Sequence, residues 1–293
     1  LIFILGLFLL ENISRKKAQY HSTTKGGFKK KSLTTLHGYK DILAFSFCFL
    51  IFFISFLFPV IQMLYWTIIF PKHLIDLDLI NLFSNTIILV LFSSFVLISF
   101  AFISNYGNRL SRSKFLEILT TFSISGYAIP GIILAVAFIT FISWFDNNII
   151  NFFDLKNIKS IFIGSILGLV IVYFIRFYSL ASNGIKSGYL KISYSIDESA
   201  YLLGYSKFKT FRNIHIPYLK NSILLIGILI SIEVIKELPI TLIMRPFNFE
   251  TFATQAYIYA SQDLLEAAAA PSLFLILIAS FFILITSRYI LKD

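Results

Sequence analysis

The chain has 293 residues, 57% of them hydrophobic and 17% aromatic against 14% charged, a balance that excludes an ordinary soluble globular domain and points to a lipid environment. Its net charge of +10 would suit a nucleic-acid binder, but in so apolar a chain the basic residues are first read as topology signals. The single cysteine, Cys48, lies in a hydrophobic run, so there is no disulfide framework and no cysteine-based metal site.

The first segment, LIFILGLFLL, is followed at once by Glu11. As a helix it spans only about 15 Å, half a bilayer core, and its positive charge follows the apolar stretch, the reverse of a signal peptide. Leu1–Leu10 is therefore expected to be the tail of a preceding transmembrane helix, and the chain the C-terminal part of something longer. Glu11–Asp41 reads as a hydrophilic linker. Six apolar runs of spanning length follow: Ile42–Phe70, Leu82–Ser104, Ile118–Trp144, Ser160–Ser182, Asn221–Met244 and Ala267–Ser287. Their continuity excludes the alternating pattern of membrane β-barrels and predicts an all-α polytopic membrane protein with six transmembrane helices.

With Glu11–Asp41 assigned to the cytoplasm, nineteen Lys and Arg fall inside and four outside. That bias predicts both ends of the chain to be cytoplasmic and makes most of the +10 an orientation signal, with no nucleic-acid partner expected. Trp66, Trp144 and the tyrosines near span ends read as interface anchors.

The longest internal cytoplasmic segment, 183–220, is patterned as helix, turn, helix. Ser195-Ile-Asp-Glu198 has the form of a capping box, Gly204 is placed as a helix-terminating C′ residue, Ser206 as the cap of a second short helix, and Pro217 as the opening of the next span. Ala200, Leu203 and Phe208 are expected between the two helices, and His215 is expected to be a solvated loop side chain.

The spacing Glu198-Ser199-Ala200, three residues, Gly204, nine residues, Ile214-His215-Ile216-Pro217 closely resembles the EAA motif of ABC importer permeases, with Ser199 and Ile216 as mild departures. The resemblance implies that the loop is a coupling element docking into a cytoplasmic ATP-binding subunit. Its site residues are then Glu198, Ser199, Ala200, Gly204, Ile214, Ile216 and Pro217, with Glu198 pairing a basic group of the ATPase. The alternative for Glu198 is the N3 position of its own capping box, with no partner touched.

In the fifth span, Glu233, Lys236 and Glu237 lie at steps of three and four, on one helical stripe. At bilayer depth each charge costs about 2.5–3.5 kcal/mol, so the stripe is expected to face the bundle interior, as an internal ion pair or as part of a translocation path or gate. Pro239 is expected to bend the helix just beyond, and Gly126, Pro130 and Gly131 to kink the third span. Arg176 is expected to snorkel from the cytoplasmic part of the fourth span.

The stretches KELPITLIMRPFNFETFATQAY and SGYAIPGIILAVAF resemble the C-terminal half of fused ferric-iron permeases. That resemblance implies Fe(III) as cargo, an extracytoplasmic solute-binding protein, an N-terminal permease half or second permease subunit, and a place in the bacterial inner membrane, with Leu1–Leu10 ending the first half and 42–293 forming the second. Thiamine, polyamine or organophosphonate cargo is the alternative within the class. A proton-coupled secondary transporter using Glu233, Lys236 and Glu237 is the alternative outside it. No Gly-x4-Gly-Lys-Ser/Thr loop is present, so ATP is expected on the partner subunit, with no cofactor or resident metal on this chain and no enzymatic activity of its own.

Overall fold

A computed structural model describes residues 38–111, 113–153 and 160–290; the expected tail Leu1–Leu10 and all but the end of the linker lie outside them. Every regular element among the described residues is helical. Six helices are long and apolar enough to cross a membrane: Tyr39–Ile69, Leu79–Ser111, Gly131–Phe152, Ile166–Tyr189, Lys207–Lys236 and Leu265–Arg288. The all-α, six-span expectation holds, for a physical reason. Backbone polar groups in hydrocarbon have no water to bond, and a helix satisfies them internally.

The chain divides at Pro59 into two compact units. In the first, α1 (Tyr39–Phe52) runs into a π-helical turn, Phe53–Leu57, in which the Phe58 N–H bonds Phe53 O, five residues back. None of these residues is buried. The wide turn stands just ahead of Pro59, whose ring and missing N–H cannot fit a regular i→i−4 ladder.

The second unit holds α2 (Phe58–Ile69) from Val60 on, α3 (Pro71–Ile75), α4 (Leu79–Ser111), α5 (Lys114–Ile124), α6 (Gly131–Phe152), α7 (Ile166–Tyr189), α8 (Tyr194–Leu202), α9 (Lys207–Thr210), α10 (Ile216–Lys236), α11 (Pro239–Met244), α12 (Phe252–Ser261) and α13 (Leu265–Ile290). Its core is built largely by α4, α7 and α10, through Leu97, Ala101, Val172, Phe177, Leu219 and Ile230. Hydrophobic burial gives little net drive between helices inside lipid, so close backbone approach and polar links matter more. A Cβ at Gly184 would lie 2.6 Å from Ile226 Cγ1, and one at Gly188 would lie 2.8 Å from Leu219 Cδ2. These two small residues, one turn apart on α7, let α10 sit close. Between α4 and α7, Ser104 Oγ and Tyr178 OH are 2.5 Å apart, and Asn105 Nδ2 donates to Ser182 Oγ at 3.2 Å.

Two expected spans are broken rather than kinked. The third stops at Ile124, passes through a single 3₁₀ turn (Ser125–Ala128) and an extended Ile129, and resumes at Gly131 after Pro130. The fifth, expected as Asn221–Met244, ends at Lys236. Glu237 is extended, and Pro239 opens the separate α11. In each case proline removes a backbone donor, and at the first break the residue before it, Ile129, takes the extended conformation that proline favours there.

At one end of α4, Asn85 Nδ2 donates to Glu250 O at 3.0 Å; at the other, Arg109 reaches Asp197. These positions are separated by about 36 Å of helix, more than a bilayer core, so the 183–220 segment and the Arg245–Thr251 loop lie at opposite ends of the bundle. Near the latter end, buried Asp146 accepts the N–H groups of Ile161, Phe162 and Ile163 at 3.0–3.2 Å and gathers the end of the connection that leads into α7.

Gly126 tests the packing at the first break, because a Cβ there would meet the backbone carbonyl of Ile175. Gly126→Ala is expected to lower stability by about 1–3 kcal/mol. Gly107→Ala, with nothing within 4 Å, is expected to be neutral or stabilising by up to about 1 kcal/mol. Unfolding in detergent micelles reads both.

Candidate coupling site

The segment from Ser193 to Pro217 forms the helix–turn–helix that its pattern suggests, with different details. The first helix, α8, begins two residues earlier than the Ser195–Glu198 capping box requires. Its N-cap is Ser193, whose Oγ accepts from Ser195 N at 3.3 Å. The start is fixed from outside, because the Ser193 carbonyl accepts from Arg109 Nη2 at 2.9 Å. Glu198 therefore sits in the second turn, exposed, with no hydrogen bond or ion pair to the described residues. The capping-box alternative for Glu198 is thereby removed.

The end of α8 follows the expectation. Gly204 has φ +80°, Tyr205 N–H bonds Ala200 O at 3.0 Å and Gly204 N–H bonds Tyr201 O at 3.0 Å. This double closure satisfies the last carbonyls and needs a left-handed residue, which glycine supplies without a Cβ clash. Ser206 Oγ then accepts from Lys209 N at 3.3 Å and starts α9.

From there the structure departs from a pair of separate short helices. α9 continues through a π turn, Phe211–His215, in which Ile216 N–H bonds Phe211 O, and passes into α10 without a stop. Pro217 stands in the first turn of α10, as expected, but the wide turn before it absorbs its missing donor, so the second short helix is the base of the fifth span. Along the motif, Ser199 is exposed, Ala200 is buried, Ile214 is half-buried, and Ile216 and Pro217 are exposed. Leu203 and Phe208, expected between the helices, are 77% and 70% exposed, beside Leu202 at 89%. The projection thus exposes three large apolar side chains as well as Glu198.

The residues that hold this projection were not singled out by pattern. Asp197, next to Glu198, is buried; its Oδ2 accepts from Arg109 Nε at 2.7 Å and its Oδ1 meets His215 Nε2 at 2.7 Å. Arg109 Nη1 also donates to Ile192 O at 3.0 Å. His215, expected in solvent, is fully buried beside the rings of Tyr106 and Tyr189. The available signal was helical spacing: Asp197 shares a stripe with Ala200, three residues on, while Glu198 and Ser199 turn outward.

In the fifth span, Glu233, Lys236 and Glu237 do not remain on one inward stripe, and the Lys236 side chain is 57% exposed. Lys236 Nζ pairs with Glu233 Oε1 at 2.6 Å, whereas the helix break swings Glu237 toward α7, where Oε2 lies 3.4 Å from Arg176 Nε. That separation is an ion-pair contact rather than an aligned hydrogen bond. Arg176 does not snorkel. It lies 13 residues before the end of α7, about 20 Å along the helix, and donates from Nη1 to Ile129 O at 2.6 Å. The ion pair therefore joins the breaks of the third and fifth spans. A Cβ at Gly131 would come 2.8 Å from Glu237 Oε1, so the missing side chain makes room for the pair. Thr241 Oγ1 donates to Glu237 O at 2.5 Å and also bonds the Tyr173 hydroxyl. Lys236 lines an open groove of about 420 Å³ with Trp66, Leu238, Tyr257, Ala268 and Ala269. Among the described residues, no group of three or more His, Cys, Asp or Glu side chains is placed to hold a metal ion.

No family model matches the chain. Over 280 residues, 94% of its length, it is 23% identical to the Fe(3+)-transport system permease protein FbpB 2 of Haemophilus influenzae. The match covers 53% of that protein, so the chain spans about half the length of the curated relative it matches. Solved structures share its fold, among them two bacterial importers. One is a bacterial ABC transporter involved in the import of the acidic polysaccharide alginate, with TM-score 0.64 and 17% identity, covering 85% of this chain and 95% of that one. The other is a bacterial alginate ABC transporter in complex with an alginate pentasaccharide-bound periplasmic protein, with TM-score 0.66 and 15% identity, covering 85% and 94%. The chain thus has the fold of an ABC importer permease and resembles a ferric-iron permease along most of its length.

Breaking one side of the internal ion pair leaves an uncompensated charge. Arg176→Met or Glu237→Gln is expected to cost about 3 kcal/mol, the low end for a buried pair, because Arg176 keeps 21% of its side chain exposed. Replacing both, Arg176→Met with Glu237→Leu, is expected to recover most of that loss in micelle unfolding.

Proposed function

We propose that the chain is a transmembrane permease component of a binding-protein-dependent ABC importer in a bacterial inner membrane, with ferric iron as its cargo. The observation that carries this reading is the projection from Ser193 to Pro217. It is capped at both helix starts, closed at Gly204, and exposes Glu198 together with the apolar side chains of Leu202, Leu203 and Phe208. An ATP-binding subunit with a basic group at the bottom of an apolar cleft complements that surface in charge and shape. ATP belongs to that partner, and this chain contributes no nucleotide site or catalytic group.

The positive-inside count supports a cytoplasmic position for this end of the bundle, and for both ends of the chain. The Arg245–Thr251 loop then faces the solute-binding protein, a partner that one of the related importer structures contains. The resemblance to the Haemophilus influenzae permease supports the iron cargo and a second homologous half, carried on the same polypeptide or on another subunit. Along the path, Lys236 with its partner Glu233 is assigned to the wall of the groove, and Glu237 to the hinge beside it. Residues that only pass the ion on need not form a tight site, since transport requires release.

Glu198→Gln is the direct test. Because Glu198 caps nothing, glutamine removes only the charge; helix content is expected to stay constant while ATP-driven uptake of ferric iron into proteoliposomes falls about tenfold, within the range of single coupling energies. Undiminished uptake would remove the ion-pair role. Failure of iron-loaded binding protein to stimulate ATP hydrolysis by the wild-type complex would remove the iron cargo.

A further inference from the structure

Three stretches distant in sequence meet at one buried carboxylate. Asp197 is 7% exposed and uses both oxygens, one on Arg109 at the end of α4 and one on His215 at the base of α10. Arg109 extends the knot by donating to the carbonyls of Ile192 at 3.0 Å and Ser193 at 2.9 Å, which form the connection from α7 into α8. Its guanidinium also lies over the Tyr194 ring, 4.4 Å from the centroid. His215 is enclosed by Tyr106 and Tyr189, with ring centroids 5.2 and 5.4 Å away.

Adjacent residues on a helix point about 100° apart, so α8 presents Glu198 outward and Asp197 inward. A partner gripping the outer face moves α8 as a body. The inner face cannot slip against the bundle, because separating Asp197 from Arg109 and His215 would strand buried polar groups. Such a displacement must carry α4 and α10 with it. α10 continues the helical run from Lys207 through the π turn to Lys236, where the Glu237–Arg176 pair marks the break.

We propose that Asp197, held by Arg109 and His215, is the positioning residue that passes displacement of the coupling helix to the second and fifth spans. The proposal rests on the reading of this loop as an ATPase-docking element. Glu198 makes the contact, and Asp197 makes the contact move something.

The test uses the complete permease with its ATP-binding and solute-binding partners in proteoliposomes, with Cys48→Ser and spin labels at Ser195→Cys on α8 and Leu229→Cys on α10. In the parent the distance between the labels is expected to be the same in the nucleotide-free and ATP-bound states. In Asp197→Asn and His215→Leu it is expected to shift or broaden on ATP binding. Iron taken up per ATP hydrolysed is expected to fall about tenfold at equal amounts of assembled complex. His215→Gln, which keeps an amide donor for Asp197, is expected to behave as the parent. The proposal is overturned if Asp197→Asn keeps the parental distance and uptake, or if hydrolysis and uptake fall only in step with the amount of assembled complex, which would make the knot a folding element. If the parent recruits an ATP-binding subunit and hydrolyses ATP without moving iron, the cargo assignment fails, and the spin-label distances still decide the role of Asp197. If the parent recruits no ATP-binding subunit, the functional reading falls and the proposal with it.

Discussion

The carboxylate of Asp197 is the constraint on which the exposed end of this molecule depends. A short helix of nine residues has little stability of its own, since nucleating a helix is costly and few bonds repay it. Here it is held by a buried ion pair to one span, a histidine from another, and the carbonyls of the connection leading into it. The same contacts explain why the helix starts at Tyr194 and why Glu198 emerges free on the outer face. Geometry at the surface is dictated by charge satisfaction beneath it.

A second ion pair repeats the arrangement deeper in the bundle. Arg176 and Glu237 are costly in lipid, and their presence is repaid structurally because the third and fifth spans are both interrupted there. Broken helices leave backbone groups unsatisfied. Arg176 serves Ile129 O at the first break, while Glu237 accepts from Ile240 N at the second and is itself braced through Thr241 and Tyr173. The continuous helix from Lys207 to Lys236 runs from one charged knot to the other, which gives the proposed transporter a single stiff element between its docking surface and its hinge.

Much of this was legible in the sequence, and the misses share a cause. The six spans follow from apolar run length alone. Gly204 and Ser206 were readable because each acts locally, through its own φ or its own hydroxyl. Local logic failed where a distant residue intervened. Ser195 and Glu198 satisfy a capping box on paper, but Arg109, 84 residues from Ser193, fixes the start of the helix elsewhere. Spacing rules place His215 in solvent and Arg176 at the interface because their carboxylate partners, 18 and 61 residues away, are invisible to such rules. Pro217 does lie in the first turn of α10, but a proline also reads as a boundary, whereas a π turn lets the helical run from Lys207 continue through it.

The central claim, that the Ser193–Pro217 projection is the docking element for an ATP-binding subunit, is tested most directly by cysteine cross-linking. With Cys48 replaced by serine, a short bifunctional reagent at Ser199→Cys is predicted to join the permease to the ATP-binding subunit, and the same reagent at Leu229→Cys, 46% exposed and about three turns further along α10 than Pro217, is predicted not to. ATP-driven uptake proceeding without any adduct at position 199, or with equal adducts at both positions, would contradict the account.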